Sequence, residues 1–389
     1  MNNLWRVFIL IMLLGSQQTA FSQNTDSSRI RISLLTCSPG EELYSIFGHS
    51  ALRIIDSNNV TDLVYNYGTF DFDDKDFYLK FARGKLLYFV SLERTDDFLF
   101  FYTETGRSIK EQVLNLTYAE KKEIQSALNE NLKEENRFYK YDFFLDNCTT
   151  RLRDIIKKHK HPTPQFPYVM PEKIRFRQAI HQYLEKGDKS WSQLGIDLVL
   201  GLPTDKIMTA EEQEFLPDNL MKAVDSCHNT SLVAQKSTLY EPMEFLNKNK
   251  GLSPMMTFSL FALIALLVSL SKNKVAISVT NVFDKFLFLI TGLLGVILIF
   301  MWTMTDHSMT KNNLNLIWAL PINIAAVFFT KSENKFFKKY FLYYSFLMLL
   351  LLLTWFVLPQ ELNNALIPIV VLVMYRSFKC YKSISQPKQ

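Results

Sequence analysis

The apolar positions of this chain follow two different rules. From about residue 24 to residue 250 they occur singly or in short alternating groups among charged residues, the pattern of a soluble domain. From Met255 onward, runs of Leu, Phe, Ile, Val and Met are broken only by short polar stretches. Five such runs stand out: about Pro254 to Leu270, Phe286 to Thr303, Leu316 to Phe329, Phe341 to Leu358 and Leu362 to Tyr375. The third and fifth are short against the ~20 residues a helix needs to cross a bilayer. At the other end, Arg6 precedes the apolar run Val7 to Leu14, and polar residues lead to Ala20-Phe21-Ser22. This is the pattern of a secretory signal, cleaved before Gln23 or retained as an anchor, and in both cases the following domain is exported.

Within the exported part the periodicity predicts mixed strands and helices. Ile30 to Leu35 and Gly48 to Ile55 read as strands, Asp56-Ser57-Asn58-Asn59 as a turn, and Leu63 to Tyr67 as the return strand of a hairpin. His49 then opens the second strand, with Asn66 or Tyr67 opposite it. Leu86 to Leu92 reads as a buried strand and Gln112 to Leu116 as another. Between them, Thr95 to Gly106 predicts a helix with Phe98, Phe101 and Tyr102 on one face. Thr117-Tyr118-Ala119-Glu120 is a capping box for a helix reaching about Glu134. A further helix is expected from about Ala210 to Asp225. The glycine-bounded stretch Leu194 to Pro203 reads as an apolar loop, lying against the membrane, over the site, or simply buried.

The net charge of +5 does not point to nucleic acid, because the excess lies mainly in the lysine-rich loops and tail of the second half. It does orient the spans. Lys272, Lys274 and Lys285 lie between the first and second, Lys331, Lys335, Lys338 and Lys339 between the third and fourth, and Arg376, Lys379 and Lys382 after the fifth. The opposite loops contain only Lys311, so the tail is expected in the cytoplasm and the soluble domain outside. Trp302 and Trp355 are expected near the outer span ends, and Pro321 and Pro368 are the positions where a span could kink. Asp284 and Lys285 stand only at the edge of a span, which argues against a transport pathway.

Chemistry concentrates in Tyr141-Asp142-Phe143-Phe144-Leu145-Asp146-Asn147-Cys148-Thr149-Thr150-Arg151. Asn147 or Asp146 can cap a helix whose apolar face is Leu152, Ile155 and Ile156, placing Cys148 in the first turn, where free amides and the helix dipole favour a thiolate. His49 is the candidate base, and Cys37, in a Pro-Gly turn, is the rival thiol. The exported domain holds three cysteines, Cys37, Cys148 and Cys227, so at least one thiol stays free. A Cys37–Cys227 disulfide is one pairing compatible with that count. The acidic stretch Thr69 to Asp76 lacks the glycine and terminal glutamate of a calcium loop, and His159-Lys160-His161 has the wrong spacing for a metal pair and reads as a solvated helix end.

The order of histidine first and cysteine later, with Asn-Cys opening a helix, resembles the circularly permuted NlpC-like (papain-like) enzymes. Cys37-Ser38-Pro39-Gly40, Phe47-Gly48-His49-Ser50-Ala51-Leu52-Arg53, Tyr65-Asn66-Tyr67-Gly68-Thr69-Phe70 and the Cys148 stretch together resemble the Lnb-type lipoprotein N-acyltransferases over nearly the whole chain. The resemblance implies an α+β fold, a permuted papain-like exported domain followed by a bundle of about five transmembrane helices. It divides the chain into a signal peptide (1–22), a thiol domain (23–165), a membrane-proximal extension (166–252), a transmembrane domain (253–376) and a cytoplasmic tail (377–389). It also implies an inner-membrane enzyme that takes an acyl chain from a glycerophospholipid onto Cys148, with His49 as base, and passes it to the α-amino group of a diacylated lipoprotein. Related enzymes often use a second histidine; none stands on the next strand here, and Asn66 is the substitute. No cofactor or metal is expected. Two other readings stay open on the residues themselves: a thiol amidase acting on cell-wall peptides, and a membrane-anchored binding domain with a structural Cys148.

Overall fold

A computed structural model describes residues 29–71, 73–242 and 251–385, so the export signal expected over residues 1–22 lies outside the described residues. Strands β1 (Ile30–Cys37), β2 (His49–Asp56) and β3 (Thr61–Thr69) form an antiparallel meander. There follow α1 (Phe77–Ala82), β4 (Leu87–Arg94), α2 (Thr95–Glu104), β5 (Ile109–Leu114), α3 (Tyr118–Asn131), β6 (Phe138–Lys140) and α4 (Cys148–His159). Next come α5 (Phe176–Lys186), α6 (Ser190–Val199), α7 (Ala210–Gln213), α8 (Pro217–Asp225) and β7 (Val233–Tyr240). The sheet has seven strands in the order β6-β4-β3-β2-β1-β5-β7, every neighbour antiparallel. Its last strand therefore comes from the segment expected as an extension.

Helices cover both faces of the sheet, so the interior strand β1 is buried at every position except Arg31, its polar Ser33 and Thr36 included. On one face Ile32, Leu34, Leu52, Ile54 and Tyr65 pack against Ile124 and Leu128 of α3 and Leu152 and Ile156 of α4. On the other, Leu35, Cys37, Ala51 and Val64 pack against Phe98 and Tyr102 of α2. The capping box of α3 forms as expected, Thr117 N–H donating to Glu120 Oε2 (2.7 Å) and Glu120 N–H returning to Thr117 Oγ1.

Several expectations are corrected. β4 is only partly buried, because the three-residue β6 covers so little of its outer side, and Phe101 of α2 points outward. The helix expected from Ala210 to Asp225 is two, with Pro217 opening the second, since proline lacks the N–H that would continue the first. Leu194 to Val199 is the second half of α6 and not a loop, and it does face the membrane half: Leu194 belongs to that half's core and Gly201 N–H bonds Met309 O at 2.8 Å. Lys160 is buried against Glu120 at 3.2 Å instead of solvated.

The second half is helical: α9 (Pro254–Leu270), α10 (Lys274–Thr303), α11 (Asn323–Ala326), α12 (Lys335–Thr354) and α13 (Ile367–Ser385). Among the described residues two helices are long and apolar enough to cross a membrane, Lys274–Thr303 and Lys335–Val357, and Pro254–Leu270 is a shorter apolar helix. Leu260, Leu263, Leu293, Ile297, Leu349 and Leu353 point outward, as a lipid-facing surface requires. The third expected span is not one helix. Short helical turns at Leu314–Ile317, Asn323–Ala326 and Val327–Phe329 flank Pro321, and the segment lies against α10. The contact is so close that a Cβ on Gly295 would stand 2.0 Å from Ala319 O, and one on Gly292 2.6 Å from Ile324 N. Irregular backbone at membrane depth must find its hydrogen bonds inside the protein. Asn323 supplies several, its Nδ2 donating to Thr291 Oγ1 and Tyr344 OH at 3.0 Å each, and its Oδ1 accepting from Tyr340 OH.

Other membrane-half expectations also change. Trp355 is buried with its indole N–H on Asn364 instead of sitting at an interface. Pro368 stands in the first turn of α13, where it kinks nothing. Arg376 is inside α13, bonded to the buried Asp284 at 2.6 and 2.8 Å, and is not a free tail charge. The close glycine contact makes a testable prediction: Gly295→Val forces its side chain onto Ala319 O and should destabilise the detergent-solubilised protein by about 1–3 kcal/mol. An unchanged Tm would show that the broken segment can retreat.

Candidate active site

The start of α4 is built around one buried amide. Asn147 is the N-cap: its Oδ1 accepts from Thr149 N–H (2.8 Å) and Thr150 N–H (2.9 Å), and Thr150 Oγ1 accepts from Asn147 N–H in return. Its Nδ2 donates to Phe143 O (2.7 Å) and Phe215 O (2.9 Å), so both ends of the side chain are satisfied. Asp146, the other candidate cap, instead holds Arg151 through two bonds of 2.7 Å. Because the cap occupies the amides of Thr149 and Thr150, the first-turn amide it leaves for a ligand is that of Cys148 itself.

His49 comes from the opposite face. It opens β2 on the side covered by α2, its ring stacked on Tyr102 at 6.2 Å. Asn66 lies on the same face of β3. Leu52 pairs with Tyr65, and extending that register by one sets Asn66 across from Ala51, a diagonal neighbour of His49. Its Oδ1 stands 2.6 Å from His49 Nε2. The partner behind it settles the orientation, since Asn66 Nδ2 donates to Glu93 Oε1 (2.9 Å), an oxygen that also accepts from Ser91 Oγ (2.7 Å). A carboxylate can only accept, so it directs the amide nitrogen to Glu93 and the amide oxygen to His49. That oxygen in turn requires a proton on Nε2, which leaves Nδ1 as the nitrogen able to take one from sulfur.

Where Cys148 and His49 meet at the end of the sheet, β3 presents a glycine. Gly68 lies at a bulge in the β3–β4 register with φ of +92°, a conformation that disfavours any other residue. A Cβ there would sit 3.5 Å from Cys148 Cβ and 4.0 Å from His49 Cε1. Burial alone would raise the Cys148 thiol, but the charge and hydrogen bond of His49, with the Ser50 amide and the Thr149 hydroxyl, outweigh it and bring the thiol down to about 7. For His49, burial favours the neutral ring, while Cys148 and the Asn66 hydrogen bond more than compensate and raise it above its ordinary value. Each group thus favours the charged form of the other, a thiolate–imidazolium pair.

The structure also separates the two thiols near this histidine. Cys37 is the direct partner of His49 in the β1–β2 register, but it is fully buried and burial pushes its thiol up. All four cysteines are free, so the Cys37–Cys227 pairing is not formed: Cys37 lies in the sheet core, and Cys227 is partly exposed beside Asn229. Among the described residues no group of three or more His, Cys, Asp or Glu is placed to hold a metal, and His159 instead contacts Glu123.

The site is fastened to the membrane half. Ser308 Oγ donates to Asp142 Oδ2 in the turn leading to Cys148, Lys140 pairs with Asp306 at 2.9 Å, and Asp306 N–H bonds Arg83 O after α1. From α1 a row of rings leads inward: Phe77 lies against Phe70, Phe70 against Tyr88 (5.2 Å), and Tyr88 stacks on Tyr141 at 4.2 Å. Tyr141 borders Gly68 beside the thiol, while at the outer end Tyr78, Leu79 and Phe81 are exposed. The structure brings together the three candidates named from the sequence, Cys148 from its helix cap, His49 from its strand and Asn66 as the stand-in for a second histidine. Glu93 and Gly68 become visible only once the β3–β4 register is known.

The pair predicts a pH profile. Alkylation of Cys148 by iodoacetamide, followed by mass spectrometry of its peptide, should rise with pH through a midpoint near 7. In His49→Ala the midpoint should move above the ordinary thiol value of 9.0, since burial remains and the stabilising charge is gone. A midpoint near 9 in the unmodified protein would dissolve the ion pair.

Residues 17–173 match the family described as the Lnb N-terminal periplasmic domain, and residues 246–387 the one described as the Lnb transmembrane domain. No curated protein and no solved structure gave a significant match. The two family matches lie in the order of the two halves described above and cover about three quarters of the chain. A periplasmic domain joined to a transmembrane domain is the organisation of an inner-membrane protein, and the chain belongs to the Lnb family.

Proposed function

We propose that this protein is a lipoprotein N-acyltransferase, with Cys148 as nucleophile, His49 as base and acid, and Asn66 as the residue that orients His49. One observation carries the reading: a thiol lowered to about 7 by its histidine stands in a domain whose active-site turn is bonded directly to the outer loops of the membrane half. Membrane anchoring gives little advantage to an enzyme acting on soluble peptides. It gives a large one when both substrates are held in lipid, because reactants confined to the same surface meet at a high effective concentration.

In the first half-reaction the Cys148 thiolate attacks an ester carbonyl of a glycerophospholipid. The C–S bond forms, the Cys148 amide is the donor positioned for the oxyanion, and the tetrahedral intermediate expels the glycerol oxygen, which takes the proton from His49 Nδ1. Lysophospholipid leaves and a thioester remains. In the second, the α-amino group of a diacylated lipoprotein attacks the thioester and gives its extra proton to His49, forming the amide and restoring the thiolate–imidazolium pair. Asn66 keeps the ring oriented through both halves, and Glu93 keeps Asn66 from turning over. The aromatic row from the exposed end of α1 to Tyr141 suits the acyl chain, since it runs from the membrane-facing edge of the domain to the sulfur. A hydrolase would require water at the same thioester, and a binding module would have no use for the lowered thiol.

The decisive experiment is incubation of the purified full-length protein with phosphatidylethanolamine and a diacylated lipopeptide, read by mass spectrometry. N-acylated lipopeptide should form, and Cys148→Ala should abolish it while the wild type accumulates a hydroxylamine-sensitive acyl adduct on the Cys148 peptide when the acceptor is omitted. Muropeptide cleavage without acyl transfer would replace this reading by the amidase. Removing the orienting residue should cost less than removing the nucleophile: Asn66→Ala should lower kcat/KM by roughly 10- to 100-fold, a loss of about 1.4–2.7 kcal/mol of transition-state stabilisation. No loss would remove Asn66 from the site.

A further inference from the structure

The membrane half carries a polar cavity that shares no residue with the thiol site. It has a volume of about 160 Å³ and opens among α9, α10, α13 and the Thr330–Lys331 turn. Asp284 on its wall is 19 residues before Thr303 at the other end of α10, about 28 Å along the helix axis, close to the thickness of a bilayer's apolar core. The periplasmic domain is bonded to the Thr303 side through Asp306 and Ser308, so this cavity lies at the opposite membrane face. That is also the end where the lysines of the inter-span loops collect.

Its charge is unbalanced. Lys331, Arg376 and Lys379 line it, and the single carboxylate among the lining residues, Asp284, is already held by Arg376 through bonds of 2.6 and 2.8 Å. Two ammonium groups thus share one cavity without a carboxylate of their own, beside the neutral polar groups of Ser271 and Asn281. Confining like charges at the edge of a low-dielectric layer is unfavourable unless an anion joins them. The space holds several water molecules at ~30 Å³ each, enough for a phosphate group, and its wall is too polar for an acyl chain. Basic pockets between helices at the lysine-rich face of a membrane protein are suited to anionic headgroups.

We propose that this cavity binds a phosphate group, with Lys331 and Lys379 as its counter-charges and the Arg376–Asp284 pair as its fixed floor. The chemistry is that of a phosphodiester in an anionic lipid headgroup or of free phosphate. The site is independent of the acyl-transfer reading, and its test does not use acyl transfer as a readout.

The test is thermal unfolding and native mass spectrometry of the full-length protein in a neutral detergent, titrated with phosphatidylglycerol, phosphatidylcholine or inorganic phosphate, and compared with the K331Q/K379Q double variant. Phosphatidylglycerol should raise the Tm of the wild type by several degrees and remain bound, with an apparent affinity roughly 30-fold weaker in the variant, ~fivefold for each ammonium. Phosphatidylcholine should do neither. Inorganic phosphate reproducing the full shift, with no further gain from phosphatidylglycerol, would support the phosphate site and assign it to the free anion. Equal binding of phosphatidylglycerol to wild type and to a variant whose lipid-free Tm is unchanged would overturn the proposal.

Discussion

The buried side chain of Asn147 is the constraint on which the site depends. Its oxygen takes two amides of the first turn of α4, and its nitrogen ties that turn to Phe143 O on one side and Phe215 O on the other. Every one of these groups is buried or nearly so, and an orphaned amide or carbonyl in such a place costs about 1–3 kcal/mol. The helix start is therefore held in one position. That position determines where the sulfur lies relative to His49, which amide remains for an oxyanion, and how Phe143 and Phe144 enter the core formed with Phe176, Phe215 and Met309. Met309 comes from the membrane half, so the same short stretch that carries Cys148 also carries the joint between the two halves.

A second buried network reinforces that joint. Arg177 is fully buried and donates to Asp197 (2.9 Å), Asp205 (3.0 Å) and Thr204 Oγ1 (2.7 Å). Both of its carboxylates reach on to the membrane half, Asp197 accepting from Asn363 Nδ2 at 2.8 Å and Asp205 from Glu361 N–H at 3.2 Å. An isolated buried charge would be costly, but here one guanidinium answers two carboxylates and the remaining lone pairs are taken up by side chains and backbone of the outer loop. Because a buried cluster of this kind is favourable only when complete, it couples the packing of α5 and α6 to the seating of the membrane loops. The periplasmic domain is in this way seated on the membrane half at the Asp142 turn and at Arg177, not hung from a flexible tether.

What could be read from the sequence follows from the range of the interaction involved. The helix start at Asn147, the capping box at Thr117 and the strand that begins at His49 are written in neighbouring residues, and they appear where expected. The broken third span, the buried Trp355 and the place of Arg376 within a helix depend on partners outside their own segments: Gly292 and Gly295, Asn364, and Asp284. Apolar content marks Leu316 to Phe329 as membrane-buried, and the length rule makes it short, but nothing local says that a glycine pair on another helix will let its irregular backbone pack inside. The last strand, Val233–Tyr240, has no local mark for a similar reason: none of its eight residues is buried, and Gln235, Lys236, Ser237 and Thr238 run together through its middle, so it lacks the apolar alternation of a half-buried strand. It is a strand because β5 offers an open edge to pair with.

The two cysteines beside His49 show why proximity alone does not assign a nucleophile. In the β1–β2 register Cys37 is the direct partner of the histidine, whereas Cys148 arrives from a helix on the opposite face. Yet Cys37 packs in the apolar layer of Leu35, Ala51 and Phe98, and burial, partly offset by Arg107 and Tyr102, holds its proton on. Cys148 is buried as well, but its sulfur faces His49, the Ser50 amide and the Thr149 hydroxyl, which stabilise the anion. A thiol with its midpoint at 9 is ~1% thiolate at neutral pH and one at about 7 is roughly half, so this solvation difference separates a reactive sulfur from an inert one. Gly68 borders this meeting point: its φ of +92° disfavours any other residue at the bulge, and a side chain there would lie against both Cys148 and His49.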